Sequence, residues 1–282
     1  MLNINAIVFR CLVLVTLIFG AGAPASAGDE KVYTFAAMPS SPPVTLHMQW
    51  MPFVERLSRE TRLEFRIKLY ENMAEFEKDI WSGAPDFIFS SPLQLMVAHA
   101  SSGYAPLLRG RRPVTVGLFV RKDSPIRSID DLVGKKIAFV GNKALCSVAM
   151  QHLLAKHKAQ LSFEKEYAGS TKNVIINVLL GKSDAGSVFM PDMARASEDT
   201  RSQLREIVET PEIASHPLSA HPRVPRADQE AVRKATLAIA ATTDGAELLK
   251  AIRLAEPVAA DYARDYRTLE EIDVKGLSNW GQ

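Results

Sequence analysis

The pattern of apolar and polar positions predicts alternating strands and helices in the first part of the chain. Continuous apolar runs and one strictly alternating run predict three strands, over residues 32–37, 63–69 and 87–89. Apolar residues at helical spacing around Trp50, a cap at Asn72 and the pair Ser91-Pro92 predict a helix after each strand. This alternation is typical of parallel strands covered by helices.

A second group of strand–helix units begins at Pro113. Its predicted strands cover residues 113–120, 137–140, 164–167 and 185–189. Its predicted helices cover residues 145–158 and 170–180, and two more helices are predicted near the end of the chain, over 228–241 and 256–265. The pattern therefore predicts an α/β protein with two successive groups of elements.

The first 27 residues have the organisation of a secretory signal peptide. Arg10 supplies a positive charge, an apolar run covers residues 11–23, and Ala25-Ser26-Ala27 forms a cleavage site. The apolar run is too short for a bilayer span, which favours cleavage after Ala27 over an uncut membrane anchor. We expect a mature chain that starts at Gly28 and is soluble in the periplasm.

Composition narrows the class of protein further. The chain has 34 basic and 32 acidic residues, and its basic residues are scattered, so nothing indicates binding to nucleic acid. Without the signal peptide, Cys146 is the only cysteine, so the mature chain cannot form an intramolecular disulfide. Cys146 also has no cysteine partner at a metal-binding spacing, and we expect no metal site.

No catalytic motif is visible. The six histidines are scattered, and His152 and His157 are five residues apart, which does not match the HExxH spacing. There is no nucleophile elbow, P-loop or dinucleotide-binding glycine motif. Cys146 lies near a helix start, but it has no identified histidine partner, and a lone buried cysteine is usually inert. We expect a protein that is not an enzyme and that needs no cofactor.

Three parts of the chain resemble one family. Residues 128–140, SIDDLVGKKIAFV, are similar to a segment common in periplasmic solute-binding proteins of ABC transporters. The run AGST at 168–171 with GKSDAG at 181–186, and the run FIFSSP at 87–92, resemble the phosphate, phosphite and phosphonate-binding branch of these proteins. The order and spacing of these segments, more than any one of them, support the resemblance.

The resemblance implies a type 2 periplasmic binding fold, which has two Rossmann-like α/β lobes and a ligand cleft between them. Lobe 1 would comprise residues 28–113 and 212–282, and lobe 2 would comprise residues 114–211. The chain would cross between the lobes near residues 111–118 and 207–214. The implied function is capture of a phosphonate- or phosphite-like oxyanion by hinge closure. The implied partner is an inner-membrane ABC permease, served by a monomer.

Ligands of open α/β sheets bind beyond the carboxyl ends of the strands, where loops and helix starts gather. The residues predicted to bind the ligand are Met38, Ser40, Ser41, Tyr70, Ser90, Ser91, Asn142, Lys143, Leu145, Ser147, Ser170, Thr171, Met190 and Asp192. Serine and threonine at a helix start can present hydroxyl and backbone N–H groups to an oxyanion. The same residue types also act as plain N-caps, so both roles stay open for Ser90, Ser91, Ser170 and Thr171.

Some features depart from the phosphonate-binding pattern. The family usually has a turn rich in serine and threonine after the strand at 137–140, whereas this chain has Ala144 and Leu145 there, with Lys143 or Ser147 as candidate substitutes. Polarizable or aromatic residues gather near other predicted loops: Met38, Met48, Trp50, Met51 and Met73. Two alternatives therefore stay open. One is the same fold binding an apolar, lipid- or sterol-like ligand; the other is a periplasmic sensor or accessory protein for a membrane partner.

Overall fold

The structure is a computed structural model that describes residues 32–157 and 161–278. The predicted signal peptide and its cleavage site lie outside the described residues. Within the described residues, no helix is both long enough and apolar enough to cross a bilayer.

The first part of the chain alternates between strands and helices, as predicted. Its elements are β1 (Val32–Ala37), α1 (Pro43–Thr61), β2 (Glu64–Lys68), α2 (Met73–Trp81), β3 (Phe87–Phe89), α3 (Pro92–Ser102) and β4 (Ala105–Gly110). The predicted cap at Asn72 is confirmed, because its side chain accepts a hydrogen bond of 3.0 Å from the Glu75 amide. Helix α1 ends at Arg62, whose backbone is left-handed with φ 57°.

The middle part of the chain contains a second group of elements. They are β5 (Val116–Arg121), β6 (Lys136–Phe139), α4 (Leu145–His157), β7 (Glu164–Tyr167), α5 (Thr171–Leu179), β8 (Ala185–Phe189), α6 (Met190–Arg195), α7 (Glu198–Ser202) and β9 (Leu204–Glu209). Those from β5 to β8 lie close to the predicted limits, whereas α6, α7 and β9 were not predicted. A short 3-10 helix, Ile129–Leu132, precedes β6. The strand predicted from Pro113 begins only at Val116, because residues 113–115 belong to the crossing between the two groups.

The last part of the chain returns to the first group. Its elements are β10 (Pro217–Ala220), α8 (Arg226–Ala240), α9 (Thr243–Ala251), β11 (Pro257–Ala259), α10 (Tyr262–Asp265) and α11 (Val274–Ser278), with a 3-10 helix at Arg267–Glu271. The helix predicted over 256–265 is confirmed only in its second half, as α10, and is wrong in its first half, which β11 occupies. Glu256 has a positive φ of 48° immediately before this strand, which a helix would not permit.

The strands form two mixed sheets. The first sheet has the order β11-β4-β10-β3-β1-β2, and the second has the order β7-β6-β8-β5-β9. In the first sheet, β1 pairs in parallel with β2 and β3, while β10 pairs antiparallel with β3 and β4. The parallel arrangement predicted from strand–helix alternation therefore holds for only part of each sheet, because the chain returns through strands that close the sheets with antiparallel pairs.

Two stretches of chain connect the sheets, and they pair with each other. Val114 and Ile213 form an isolated antiparallel bridge in which each amide donates to the other residue's carbonyl, both at 2.8 Å. One apolar cluster contains buried residues of both sheets, among them Ile88, Leu118 and Phe139. The connection is therefore a paired ribbon backed by a shared core.

Candidate functional site

The start of α3 is a closed capping box. The Ser91 hydroxyl accepts from the Gln94 amide at 3.2 Å, and the Gln94 side chain accepts from the Ser91 amide at 3.0 Å. The Ser90 amide donates to the Pro217 carbonyl at 3.3 Å. Ser90 and Ser91 are both buried. Their polar groups thus have partners within the first sheet and its helices.

The start of α5 also has its side chains engaged locally. Ser170 is the N-cap, and its hydroxyl accepts from the Asn173 amide at 3.2 Å. The Thr171 hydroxyl donates to the Asp192 carboxylate at 3.3 Å, and Arg195 donates to the same carboxylate at 3.1 Å. The Thr171 hydroxyl and the Asp192–Arg195 ion pair are therefore already engaged with each other at this helix start.

The start of α4 differs from the other two. Ala144 precedes the helix and has no side chain that could accept a hydrogen bond. Ser147 cannot cap from within the first turn; its hydroxyl instead accepts from the Gly141 amide at 3.3 Å. The geometry of a helix leaves the first-turn N–H groups of Leu145 and Cys146 without an intrahelical acceptor, and no described residue accepts from them. This start is open to an external acceptor.

Lys143, just before this helix start, reaches across to the first sheet. Its Nζ lies 3.1 Å from Oε2 of Glu77 on α2, and the Glu77 side chain is only 1% exposed. The other Glu77 carboxylate oxygen accepts from the Gln94 side-chain amide at 3.2 Å. A chain of polar contacts thus runs from the capping box of α3 through Glu77 to the loop before α4.

Three predicted residues border a small cavity in the first sheet. Met38, Ser40 and Ser41 line it together with Trp50, Phe89 and Arg253, and its volume is about 50 Å³. The lining is more polar than apolar. The Met38 amide donates to the Phe89 carbonyl at 3.0 Å, which holds the loop after β1 against the end of β3.

The remaining predicted residues do not meet at one point. The Tyr70 hydroxyl donates to Asp79 at 2.9 Å, within the first sheet and its helices. Asn142 is exposed, and the Met190 amide donates to the Thr115 carbonyl at 3.0 Å, which places Met190 against the first crossing segment, just before β5. Leu145 is buried in the first turn of α4. The structure therefore brings Ser91 and Lys143 together through Gln94 and Glu77. It also brings Thr171 to Asp192, and it gathers the predicted residues of the loop after β1 at the small cavity. These groups lie in separate loops.

Of the residues proposed for an apolar ligand surface, Met38 and Trp50 line the small cavity, whereas Met48, Met51 and Met73 do not. The Met48 side chain is 72% exposed, whereas Trp50 is buried in the core. The Trp50 ring packs against Phe35 and Phe89, with centroid distances of 5.3 and 5.0 Å. Met73 instead accepts a contact from the Gln94 side chain at 3.0 Å. These side chains do not form one apolar wall.

A larger cavity lies against the crossing segment rather than at the helix starts. Its volume is about 220 Å³, and its mainly apolar lining includes Leu153, Ile213 and Leu269. Lys156 of α4 and Glu271 form an ion pair of 2.7 Å among the residues that line it. The cavity thus borders α4, the crossing and the C-terminal segment.

Burial shifts the pKa values of two titratable groups. Burial raises the pKa of the Cys146 thiol to about 12, and this thiol is 1% exposed. Burial and the nearby Arg253 guanidinium lower the pKa of His216 to about 4. The His216 ring stacks on Phe89 with a centroid distance of 6.0 Å. Cys146 is therefore a protonated packing residue at neutral pH, and His216 is a neutral ring.

Sequence reasoning missed Glu77, Gln94, His216 and Arg253. Gln94 had a readable signal, because Ser91 followed three residues later by glutamine is a capping-box pattern. The sequence also held a signal for Glu77, since this residue lies on the same helical face as Met73 and Ile80. The sequence held no such signal for Arg253, because this residue ends helix α9, which the pattern did not predict.

Comparison with known proteins decides the family. A model of the family described as "ABC transporter, phosphonate, periplasmic substrate-binding protein" matches residues 35–266. The chain belongs to this family. Comparison with curated proteins gave no match.

Solved structures of phosphonate-family and related binding proteins share the fold. A protein from Xanthomonas citri, XAC2383, solved with chloride ion, is 18% identical with a TM-score of 0.72, over 88% of this chain and 96% of that chain. PhnD1 from Prochlorococcus marinus, in complex with methylphosphonate, is 15% identical with a TM-score of 0.69, over 89% and 99%. A binding protein component of a phosphonate transporter from Pseudomonas aeruginosa, PA3383, is 15% identical with a TM-score of 0.58, over 83% and 82%.

Membership of the phosphonate substrate-binding family assigns the chain a general function. The chain is a periplasmic substrate-binding protein of an ABC transporter, with a type 2 periplasmic binding fold. Its family is a transport family rather than an enzyme family, and it implies a small-molecule ligand and a membrane permease as partner.

Proposed function

We propose that this protein captures a small phosphonate- or phosphite-like oxyanion between its lobes, at the start of α4. The observation that carries this proposal is the uncapped first turn of that helix beside Lys143. Two N–H groups, of Leu145 and Cys146, point out of a helix start, where the helix dipole favours negative charge. This position follows β6, where the family usually has a turn rich in serine and threonine.

The charges around α4 suit a buried anion. An oxyanion removed from water needs compensating donors, because an unpaired buried charge is costly. Lys143 has three N–H donors, and Glu77 accepts from its Nζ at one of them, which leaves the others for ligand oxygens. Glu77 in turn positions the Lys143 ammonium at the helix start. The pair therefore supplies a directed cation without a large net charge in the empty cleft.

The other two helix starts take a different part in this proposal. Ser170 and Ser91 act as N-caps, and the Thr171 hydroxyl at α5 donates to Asp192, which is paired with Arg195. A ligand held at the start of α4 therefore contacts α3 and α5 only through the residues that surround the ligand. Of the predicted residues, Lys143 and the backbone of Leu145 become the central contacts, while Ser90, Ser91, Ser170 and Thr171 support the surrounding helices.

Binding is proposed to close two lobes around the ligand. Lobe 1 would consist of residues 28–113 and 212–282, and lobe 2 of residues 114–211, with the paired crossing at Val114 and Ile213 as the hinge. The protein would act as a monomer and present the closed form to its permease. We also propose that the signal peptide is removed after Ala27, which N-terminal sequencing of exported material tests directly.

Titration calorimetry tests the ligand. We expect methylphosphonate or phosphite to bind the wild-type protein, and Lys143→Met to weaken binding about 10- to 100-fold, the usual effect of losing a hydrogen bond to a charged group. Lys122→Met is the matched control, since Lys122 is exposed and lies beyond the opposite end of the second sheet. No binding of phosphonate, phosphite or phosphate at millimolar concentration would rule out the proposal.

Small-angle scattering tests closure. The radius of gyration of the wild-type protein should decrease when the oxyanion that binds in the calorimetric titration is added. An unchanged radius at saturating ligand would argue for a cleft that is already closed, held by the Lys143–Glu77 contact.

A further inference from the structure

The small cavity in the first sheet has a volume of about 50 Å³ and a lining that is more polar than apolar. Buried Met38, Trp50 and Phe89 contribute to its floor, and Ser40, Ser41 and Arg253 contribute to its rim. We propose that this cavity is an anion subsite in which the Arg253 guanidinium and the hydroxyls of Ser40 and Ser41 bind a small oxyanionic group, such as a carboxylate.

Arg253 is available for a ligand. It is exposed, and its side chain forms no ion pair or hydrogen bond with any residue in the described part of the chain. Other exposed arginines of the protein, such as Arg121 and Arg201, do form ion pairs, with Asp123 and Glu198 respectively. The residues that line the cavity include one cation and no carboxylate. An anion entering the cavity would therefore meet a free guanidinium and no opposing charge.

The backbone at Arg253 is one that glycine normally occupies. Helix α9 ends with the Arg253 amide bonded to the Lys250 carbonyl at 3.1 Å and the Leu254 amide bonded to the Leu249 carbonyl at 2.8 Å. This is the Schellman pattern, and its left-handed residue is usually glycine because a Cβ is disfavoured there. Arg253 has φ 64° at this position. The helix end itself therefore does not require an arginine at this position.

The surroundings favour an oxyanion over a second cation or a neutral ring. The His216 ring stacks on Phe89, which lines the cavity, and it is neutral at pH 7 because burial and Arg253 lower its pKa. The positive charge of the cavity is thus concentrated on Arg253. Ser40 and Ser41 lead into α1, which starts at Pro43 with no side-chain cap, so the positive end of its dipole faces the same loop.

The size of the cavity limits the ligand to a small group. Its volume of about 50 Å³ is several times the roughly 10–15 Å³ that one water needs. One carboxylate or a similar oxyanionic group fits this space, and a whole sugar or nucleotide does not. Such a group has two sources: the distal acidic group of a ligand whose phosphonate is held at α4, which rests on the proposed function, or a free inorganic anion.

The test compares Arg253→Gly with Arg62→Gly. Arg62 is a matched control because it is also exposed, also ends a helix, and also has a positive φ, of 57°, but it does not line the cavity. Glycine relieves the backbone at both positions, so both variants should melt at a higher temperature than wild type. A loss of anion binding in Arg253→Gly therefore cannot come from unfolding.

Two measurements separate the two sources. Calorimetry compares phosphonates ending in a carboxylate, over one to three methylenes, with alkylphosphonates of equal length. Nuclear magnetic resonance follows the Ser41 and Val44 amides during titration with sulfate. Selective binding of the carboxylated ligand, reduced at least fivefold by Arg253→Gly and unchanged by Arg62→Gly, supports the distal-group source. A sulfate-induced shift of these amides that is lost only in Arg253→Gly supports the free-anion source.

Three other outcomes would overturn the subsite, the proposed function or both. If wild type binds methylphosphonate but neither measurement depends on Arg253, the subsite is wrong and the proposed function stands. If no phosphonate binds while the sulfate shift depends on Arg253, the proposed function is wrong and the subsite stands. If neither measurement depends on Arg253 and no phosphonate binds, both fall.

Discussion

The ammonium of Lys143 lies 3.1 Å from the buried carboxylate of Glu77, and this contact joins the loop before α4 to helix α2, which belongs to the first group of elements. The two residues are 66 positions apart in the chain. Glu77 is almost fully buried, whereas the Lys143 side chain is 31% exposed. The contact is therefore a partly solvated link between the two groups of elements, and the buried Glu77 carboxylate depends on its hydrogen-bond partners.

Replacing Lys143 by methionine should destabilise the protein through Glu77. The carboxylate would lose its cation while remaining buried, so we expect the free energy of unfolding to fall by about 1–3 kcal/mol. Adding Glu77→Gln should restore most of the loss, because a neutral amide can keep its hydrogen bond with Gln94. Urea unfolding of the two single variants and the double variant measures this coupling, and additive losses would contradict it.

Replacing Ala144 by aspartate should change stability and affinity in opposite directions. Aspartate is a strong N-cap, so the free energy of unfolding should rise by about 0.5–2 kcal/mol. Its carboxylate would occupy the first-turn N–H groups of α4 and repel an anion, so oxyanion affinity should fall at least tenfold. Ala144→Asn caps without the charge and should weaken binding less. Unchanged affinity in both variants would show that the ligand does not use this helix start.

Replacing Ser170 by alanine separates a capping role from a ligand contact. Because its hydroxyl accepts from the Asn173 amide, we expect a loss of about 1 kcal/mol in the free energy of unfolding. Oxyanion affinity should change less than twofold. A large loss of affinity with unchanged stability would instead assign Ser170 to the ligand, as the family resemblance implied.

The neutral state of His216 should make the protein less stable in acid. Its folded pKa of about 4 lies below its ordinary value of 6.5, so the unfolded chain binds more protons between these values. Stability is therefore lost as pH falls from about 6.5 towards 4, with a contribution of the order of 3 kcal/mol. His216→Phe keeps a ring against Phe89 but cannot titrate. The difference in unfolding free energy between pH 7 and pH 4.5 should be smaller for this variant than for wild type.

Cys146 should resist modification in the folded protein. Its thiol is 1% exposed and its pKa is raised to about 12, so little thiolate is present at pH 8. A chromogenic disulfide reagent should label it slowly in buffer and rapidly in guanidinium chloride. Rapid labelling of the native protein would place the thiol in an accessible, activated setting.

The sequence pattern predicted the elements whose stabilising contacts lie within the element itself. The caps at Asn72, Ser91 and Ser170 are confirmed, because each cap uses only its own helix. The strands β1 and β3 have the predicted limits, since continuous apolar runs mark positions covered on both faces. The pattern did not predict β10, and it misassigned β11 as helix, because each is three or four residues long and is defined by a partner distant in the chain.

The candidate site was predictable only in part for the same reason. Sequence reasoning placed Lys143 and Ser91 at the right loops, but their connection depends on Glu77 and on how the two sheets meet. The negative charge of Asp192 beside Thr171 likewise appears only when β8 and β6 are adjacent in the second sheet. Residue types at helix starts indicate capacity to bind an anion, whereas the neighbours decide which start is free.

The pairing of Val114 with Ile213 also makes the segment between them an exchangeable block. Its two ends meet through a pair of backbone hydrogen bonds, so it enters and leaves the rest of the chain at one place. Segments whose ends lie close together are the ones that tolerate transplantation between scaffolds. Recombination at these two residues would move the α4 start as a unit while leaving Arg253 behind. In the proposed arrangement, the anion site at α4 and the anion subsite at Arg253 would then be inherited independently.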